Sequence, residues 1–383
     1  MGVIRMTAIR DIIKDSERCI TENIDEKYQS DVLGRLKGRA DTVVFPVSTE
    51  EVSQIMKYAW ENNIPVTPRG AGTNLVGSTV PDREIVVTCG STEAMMAAMM
   101  AVADPGDKVV IFSPFYENYG ADTILSGAEP IYVPLTPPGF IFDGDVLEAA
   151  FKQGARIMIL CNPSNPCGKV FTREELEIIA GLAKKYDAYV ITDEVYEHII
   201  YEPNRHTYLA SLPGMRERTI VCNSLSKTYS ITGWRLGYVI APPEITDRVK
   251  KVHDFLTVGA AAPLMEAAVV GLNFGDDYYR KLQAHYTHMK NLFVGGLKNL
   301  GFTFTEPQGA YYVLMDVSEF GVTDDVQFCE WLAREVGVGA VPGSSFFKEN
   351  VNHLIRFHFA KQDETLNKAL DNLSTLRAKA DRR

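Results

Sequence analysis

The 383-residue sequence lacks a long hydrophobic run and lacks clusters of positive charge. Its formal net charge is -10 at pH 7, whereas phosphate contacts in nucleic acids need clustered lysines and arginines. No apolar stretch approaches the roughly 20 residues that span a bilayer. Residues 1–15 also lack the apolar core of a secretory signal. These absences argue against nucleic-acid and membrane partners and predict a cytoplasmic protein.

The six cysteines show no CxxC spacing, so we expect buried free thiols rather than disulfides or a metal site. His285 and His288 lie three residues apart on a predicted helix and could touch one ion. No third ligand accompanies them, and histidine pairs of this kind are mostly surface residues. The sequence therefore predicts no metal site.

From Arg83 onward, runs of β-branched residues alternate with helical segments, a pattern typical of an α/β fold. We expect a mostly parallel seven-stranded sheet sandwiched by helices, with ligands beyond the carboxyl ends of the strands. A smaller α/β domain is expected at the C-terminus. The predicted domains are 1–82, 83–245 and 246–383. The predicted strands are Ile85–Thr88, Lys108–Phe112, Pro130–Val133, Arg156–Leu160, Ala188–Thr192, Thr219–Cys222 and Leu236–Ala241.

The N-terminal segment has a different character from the rest of the chain. A capping box, Ser48-Thr-Glu-Glu51, predicts a helix that runs to about Asn62. The glycine-rich stretch from Pro68 to Gly77 has the composition of a loop that brings backbone amides close to a phosphate. Residues 20–80 resemble the start of the flavin-binding domain of the FAD-linked oxidases. This resemblance implies half of a flavin site and leaves a flavin-binding or silent fusion protein as an alternative.

Lys227 follows the apolar run Thr219–Asn223 and lies among small hydroxyl residues. A lysine at the mouth of a buried strand loses hydration, which favours the neutral amine that forms a Schiff base with a carbonyl. Ser224, Ser226 and Arg235 can serve a phosphate through hydroxyl hydrogen bonds and a guanidinium fork. An amine-reactive carbonyl plus a phosphate indicates pyridoxal phosphate, and a solvated loop lysine is the alternative.

Four other predicted strand ends carry polar residues that suit the same ligand. Gly90-Ser91-Thr92 opens a helix whose free amides attract an anion. Tyr116 offers a ring for stacking, although a core tyrosine is the alternative. Asn165 offers a donor in a proline-rich turn, where turn chemistry alone is the alternative. Asp193, near Tyr196, is a carboxylate that needs a cation such as a protonated pyridine nitrogen.

Five motifs in this order resemble the class I/II aminotransferases of the pyridoxal-phosphate fold type I group. The resemblance covers about residue 81 to the C-terminus and implies an α/β enzyme that uses pyridoxal 5'-phosphate. It implies that Lys227 carries the cofactor as a Schiff base and that Asp193 keeps the pyridine nitrogen protonated. The motifs are Gly90-Ser-Thr92, Asn165-Pro-Cys-Gly168, Asp193-Glu-Val-Tyr196, Ser224-Leu-Ser-Lys227 and Gly233-Trp-Arg235.

The same resemblance assigns the remaining site residues. Asn165 and Tyr196 would bind the phenolic oxygen of the cofactor, and Tyr116 would stack on its ring. Arg356 would clamp the substrate carboxylate, with Asn165 beside it. The phosphate ligands would be Gly90, Ser91, Thr92, Ser224 and Arg235.

The implied activity is transfer of an amino group from an L-amino acid to a 2-oxo acid by a homodimer. Another pyridoxal-phosphate reaction, such as β-elimination or decarboxylation, would share Lys227 and Asp193 and stays open. Members of the family normally begin with a different segment of about eighty residues. The sequence therefore indicates a chimeric chain with a junction near Thr79–Arg83.

Overall fold

The computed structural model describes residues 9–29, 38–62, 64, 66–67 and 85–381. The chain divides into two compact units, one formed by Met1–Val87 with Ala261–Asn273 and the other by Thr88–Ala260 with Phe274–Arg383. The domain borders at 82 and 245 stay predictions. Within the described ranges, none of the helices combines the length and the apolar character that crossing a bilayer requires.

The regular elements are numbered in chain order. The strands are β1 (Cys19–Ile20), β2 (Val43–Val44), β3 (Ile85–Thr88), β4 (Lys108–Ser113), β5 (Glu129–Pro134), β6 (Ile157–Cys161), β7 (Tyr189–Asp193), β8 (Thr219–Ser224), β9 (Gly237–Ile240), β10 (Thr303–Phe304), β11 (Tyr312–Asp316), β12 (Val341–Pro342) and β13 (Leu354–His358). The helices are α1 (Thr49–Glu61), α2 (Gly90–Val102), α3 (Asn118–Leu125), α4 (Gly144–Lys152), α5 (Arg173–Lys185), α6 (Leu225–Thr228), α7 (Pro243–Leu256), α8 (Ala262–Leu272), α9 (Asp276–Asn299), α10 (Asp325–Trp331), α11 (Asp363–Leu373) and α12 (Leu376–Ala380).

In the first unit, β1 and β2 pair antiparallel and α1 follows them. The amide of Glu51 donates to Ser48 Oγ at 3.2 Å, as a capping box requires. The Glu51 carboxylate instead accepts from the amide of Val47 and pairs with Arg18 at 2.8 Å, so the second half of the predicted box differs. The glycine-rich stretch from Pro68 to Gly77 lies outside the described residues.

In the described part of the chain, seven strands form one sheet in the order β3-β9-β8-β7-β6-β4-β5. Strands β4 to β8 pair in parallel, whereas β9 runs antiparallel to β8. Leu147 of α4 and Leu176 of α5 pack with Val110 and Met158 on one face. Helices α2 and α7 pack together, and α2 lies against β7, β8 and β9. Because helices cover the sheet, its strands are apolar along their length. The mostly parallel seven-stranded sheet with helices packed on it confirms the predicted fold class.

Parallel strands place their carboxyl ends at a common edge of the sheet. Residues Cys161, Asp193 and Cys222 lie side by side in the register of β6, β7 and β8. Helix α6 begins directly after β8 and carries Lys227. The fold therefore places the lysine and the aspartate at neighbouring strand ends.

A second sheet has the antiparallel order β10-β11-β13-β12. Its core includes Phe293 and Leu297 of α9 and Leu366 of α11. Leu314 of β11 pairs with Arg356 of β13, so Arg356 is a diagonal neighbour of Tyr312. This register places Arg356 and the aromatic residue Tyr312 next to each other on the sheet.

Candidate functional site

Lys227 lies in the short helix α6, and Ser224 caps that helix by accepting from the amide of Ser226 at 3.0 Å. Burial raises the pKa of Tyr311 to about 12, and the Lys227 amine opposes this rise through its charge and a hydrogen bond. The charge of Lys227 also opposes a rise in the pKa of Asp193. The charge of the lysine amine thus acts on both a phenol and a buried carboxylate.

Asp193 is 5% exposed at the end of β7. Its Oδ2 accepts a hydrogen bond from the hydroxyl of Tyr119 at 2.7 Å, and its Oδ1 accepts from the amide of Val195 at 3.4 Å. Burial raises the pKa of the carboxyl, while the Tyr119 hydrogen bond is the first of the effects that oppose this rise. A protonated ring nitrogen is the kind of cation that offsets the cost of burying such a carboxylate.

A tight cradle forms where α2 begins. Gly90 has φ of +83°, and a Cβ at this position would collide with the guanidinium of Arg235. A Cβ on Gly237 would lie 2.7 Å from the amide nitrogen of Ser91. Arg235 itself has a left-handed backbone with φ of 54°, a conformation that costs a non-glycine residue energy. Both glycines therefore keep the first amides of α2 close to the arginine.

Hydroxyl groups complete this cradle. The hydroxyl of Ser224 lies 2.7 Å from that of Ser226 and 3.0 Å from the carbonyl oxygen of Leu236. Thr92 lies exposed in the first turn of α2, so its predicted contact with an anion stays a prediction. A guanidinium, a helix N-terminus and paired hydroxyls are the chemistry that a phosphate monoester requires, so these residues fit the phosphate of pyridoxal phosphate.

Two of the predicted site residues, Tyr116 and Tyr196, are aromatic. Burial raises the pKa of Tyr116, Asp193 raises it further, and the charges of Arg356 and Arg235 oppose the rise. Tyr116 therefore lies within the electrostatic reach of these three charged groups. The hydroxyl of Tyr196 lies 2.9 Å from that of Tyr312.

Arg356 is held in a defined orientation. Its guanidinium lies between two rings, 4.5 Å from the centroid of Tyr312 and 4.3 Å from that of Phe346. One Nη1 hydrogen bond reaches Asn165 Oδ1 at 2.6 Å. A guanidinium carries five N–H donors, so others stay free for a carboxylate. Arg356 and Asn165, predicted as a pair of substrate ligands, are in direct contact.

The structure thus brings Gly90 to Arg235 and Asn165 to Arg356, while the roles of the predicted residues toward cofactor and substrate stay predictions. Sequence reasoning missed several partners, because their contacts join distant parts of the chain. Only the spacing of Tyr119, one helical turn after Tyr116, hinted at a shared location. The missed residues are Tyr119, Tyr311, Tyr312 and Phe346.

Glu194, Glu197 and His206 come close enough to share an ion. His206 Nε2 instead lies 2.6 Å from Glu194, and Glu197 accepts from Asn223 at 2.8 Å. These contacts satisfy the cluster with protein partners. His285 and His288, the two histidines that could touch one ion, have different contacts. His288 Nε2 lies 2.8 Å from Asp363 Oδ2, whereas the ring of His285 packs against Tyr286.

Sequence comparison identifies relatives over most of the chain. Residues 71–373 match the family model "Aminotransferase class I and II". A probable N-succinyldiaminopimelate aminotransferase of Mycobacterium tuberculosis is 35% identical over 308 residues, covering 77% of this chain and 78% of that protein. The methionine aminotransferase of Escherichia coli is 35% identical over 296 residues, covering 77% of each chain.

Solved structures extend the similarity. The N-succinyldiaminopimelate aminotransferase of Mycobacterium tuberculosis aligns with a TM-score of 0.76 at 30% identity, covering 97% of this chain and 96% of that chain. YbdL of Escherichia coli, a methionine aminotransferase, aligns with a TM-score of 0.75 at 28% identity over 97% of this chain and 96% of that chain. The expected resemblance of residues 20–80 to FAD-linked oxidases finds no support in these comparisons.

Proposed function

The chain belongs to the class I and II aminotransferase family, whose members use pyridoxal 5'-phosphate, and we propose that Lys227, Asp193 and Arg356 form the centre of its active site. The protein is an aminotransferase that moves an amino group from an amino acid to a 2-oxo acid. The observation that carries the assignment is the strand register, because Asp193 ends β7 beside Cys222 of β8 and the helix that carries Lys227 begins directly after β8.

The first role of the chain is to hold the cofactor. Bound pyridoxal phosphate supplies an electron-withdrawing ring that stabilises negative charge at the substrate Cα. Arg235, the amides of Gly90 and Ser91 and the hydroxyl of Ser224 would hold its phosphate. Asp193 would keep the ring nitrogen protonated, and this ion pair matters most in the transition state, where the charge develops.

The second role is proton transfer. Lys227 would bind the cofactor aldehyde and, once displaced by the substrate amine, its Nζ would accept the proton that leaves the substrate Cα. Tyr196 and Asn165 would orient the ring through its phenolic oxygen, and Tyr116 would cover one face of the ring.

The third role is substrate orientation. Arg356 would bind the α-carboxylate with the donors that Asn165 leaves free. The rings of Tyr312 and Phe346 fix the guanidinium plane, so little side-chain entropy is lost on binding. We propose an L-amino acid as donor, in keeping with the relatives that act on methionine and on N-succinyldiaminopimelate.

We also propose a homodimer, as is typical of the family. Phe255 is 91% exposed and Val258 is 79% exposed at the end of α7. Large apolar side chains exposed together are typical of interaction surfaces. Light scattering on the purified protein tests this assembly, and a mass of one chain at micromolar concentration would contradict it.

The test of function combines spectroscopy with product analysis. We expect the purified protein to show the absorbance of bound pyridoxal phosphate, whereas flavin fluorescence would favour an oxidase. Single-turnover reactions with a panel of L-amino acids should yield the corresponding 2-oxo acids. Release of carbon dioxide or of an unsaturated product instead would indicate decarboxylation or elimination.

A further inference from the structure

Tyr119 is a buried tyrosine with no assigned role in the reaction. We propose that Tyr119 is a positioning residue that holds Asp193 ionised and turned toward the cofactor ring nitrogen. This inference rests on the proposed function and goes one step further, because it assigns the protein partner of the group that binds the ring. Three features of the structure support it.

The first feature is the contact itself. Tyr119 is 2% exposed and Asp193 is 5% exposed, and the phenol oxygen lies 2.7 Å from Asp193 Oδ2. The other oxygen, Oδ1, has only a long contact of 3.4 Å with the amide of Val195. Hydrogen bonds to a carboxylate are short and strong, so Tyr119 takes up one oxygen and leaves the other with capacity for an N–H donor.

The second feature is the fixed direction of the hydrogen bond. Burial raises the pKa of the Tyr119 phenol well above its ordinary value, so this group keeps its proton and donates to the ionised carboxylate, which can only accept. A donor to a carboxylate favours the ionised form. Burial works in the opposite direction and raises the pKa of Asp193. The hydrogen bond from Tyr119 therefore offsets part of the free-energy cost of keeping the buried Asp193 carboxyl ionised.

The third feature links Tyr119 to the face of the ring. The amide of Tyr119 donates to the carbonyl oxygen of Tyr116 at 3.0 Å, and the two rings meet edge to face with centroids 5.8 Å apart. One turn of chain thus carries the residue that would stack on the heterocycle and the residue behind its nitrogen. The hydroxyl of Thr123 donates to the carbonyl oxygen of Tyr119 at 2.8 Å and fixes this turn.

Several titratable groups face Asp193 from the helices, strands and loops around it. Only Tyr119 forms a side-chain hydrogen bond with Asp193 among the described residues. The groups are Tyr119 on α3, Cys161 on β6, Glu194 next in the chain, Cys222 on β8, Lys227 on α6 and Tyr116 before α3.

The experiment measures cofactor binding rather than turnover. Apoprotein is titrated with pyridoxal phosphate, and the dissociation constant is measured by fluorescence quenching at about pH 6 and about pH 8. Tyr119→Phe should weaken binding by about tenfold to a hundredfold, which corresponds to loss of one hydrogen bond to a charged group. The loss should be larger at the lower pH, because Asp193 then protonates more readily.

Two controls separate positioning from general damage. Tyr186→Phe, at the end of α5, removes another phenol-to-carboxylate hydrogen bond, 2.8 Å to Glu148, and should leave the dissociation constant unchanged. In an Asp193→Asn background, Tyr119→Phe should change binding by less than about twofold, because the partner charge is already absent. If Tyr119→Phe does not fold, Tyr119→Met removes the same donor and has the same expected outcomes.

The outcomes separate the proposed role of Tyr119 from the proposed function of the protein. If the wild-type protein binds pyridoxal phosphate and Tyr119→Phe binds it equally well, the proposed role of Tyr119 is wrong and the proposed function stands. An equal loss in the Asp193→Asn background also overturns it, because the tyrosine would then act independently of the carboxylate. Failure of the wild-type protein to bind pyridoxal phosphate overturns the proposed function itself.

Discussion

Asp122 should make the stability of this protein depend on pH. The side chain is 6% exposed on α3, and its Oδ2 has no hydrogen-bond partner among the described residues. Burial raises the pKa of this carboxyl to about 7 from its ordinary value of 3.8. The folded state therefore keeps a proton that the unfolded chain has already released, and stability falls as the pH rises between these two values.

The magnitude follows from this shift. Each pH unit within the window costs about 1.4 kcal/mol. Between about pH 5 and about pH 7 the loss amounts to roughly 3 kcal/mol, and above the folded pKa it stays constant. Asp122→Asn removes the charge and keeps the shape. The stability of the variant relative to wild type should therefore rise by roughly 2 to 3 kcal/mol between about pH 5 and about pH 8.

Urea denaturation at the two pH values measures this difference directly. Asp371→Asn, at an exposed position on α11, provides the matched control, and its difference in stability from wild type should be the same at both pH values. A constant difference between Asp122→Asn and wild type at both pH values would refute the reasoning. So would a variant that becomes less stable, relative to wild type, as the pH rises.

Three further predictions concern the site. Asp193→Ala should keep some bound cofactor but lower turnover by at least about a thousandfold, because the lost ion pair acts mainly in the transition state; near-normal turnover would contradict this. Arg356→Met should raise the KM for the amino acid by about tenfold to a hundredfold, with Arg356→Lys intermediate, and an unchanged KM would exclude carboxylate binding there. Gly90→Ala should weaken cofactor binding, because its Cβ would displace Arg235, and equilibrium dialysis showing wild-type affinity would contradict the cradle.

The parallel sheet and the placing of polar residues at neighbouring strand ends follow from local patterns. Runs such as Lys108–Ser113 alternate with helices, and that alternation is enough to predict the layers. The strand ends then share an edge, so polar residues such as Asp193 and Lys227 can be predicted to lie together from their position in the chain.

Contacts between distant segments could not be predicted in this way. The pairing of Tyr119 with Asp193 depends on how α3 packs, and the sandwich around Arg356 depends on the register of β11 and β13. At the start of helix α2, the Glu93 carboxylate accepts from the amide of Cys89 and also contacts His253, a residue far along the chain. Each of these details arises from tertiary packing rather than from local propensity.

The N-terminal segment shows the limit of motif reasoning. A glycine-rich stretch and a capping box suggested a flavin site, but the comparisons give that idea no support. The capping box is half present in the structure, with the amide of Glu51 donating to Ser48. Short motifs of this type recur in unrelated folds, so they predict a local turn or helix start better than a ligand.

The central claim is that the amine of Lys227 is the group that holds pyridoxal phosphate. Borohydride reduction of the purified protein, followed by peptide mapping, tests it directly. We expect one covalently attached cofactor on the peptide that contains Lys227, and none in Lys227→Ala. Attachment to a different lysine, or an unlabelled protein that still transaminates, would contradict it.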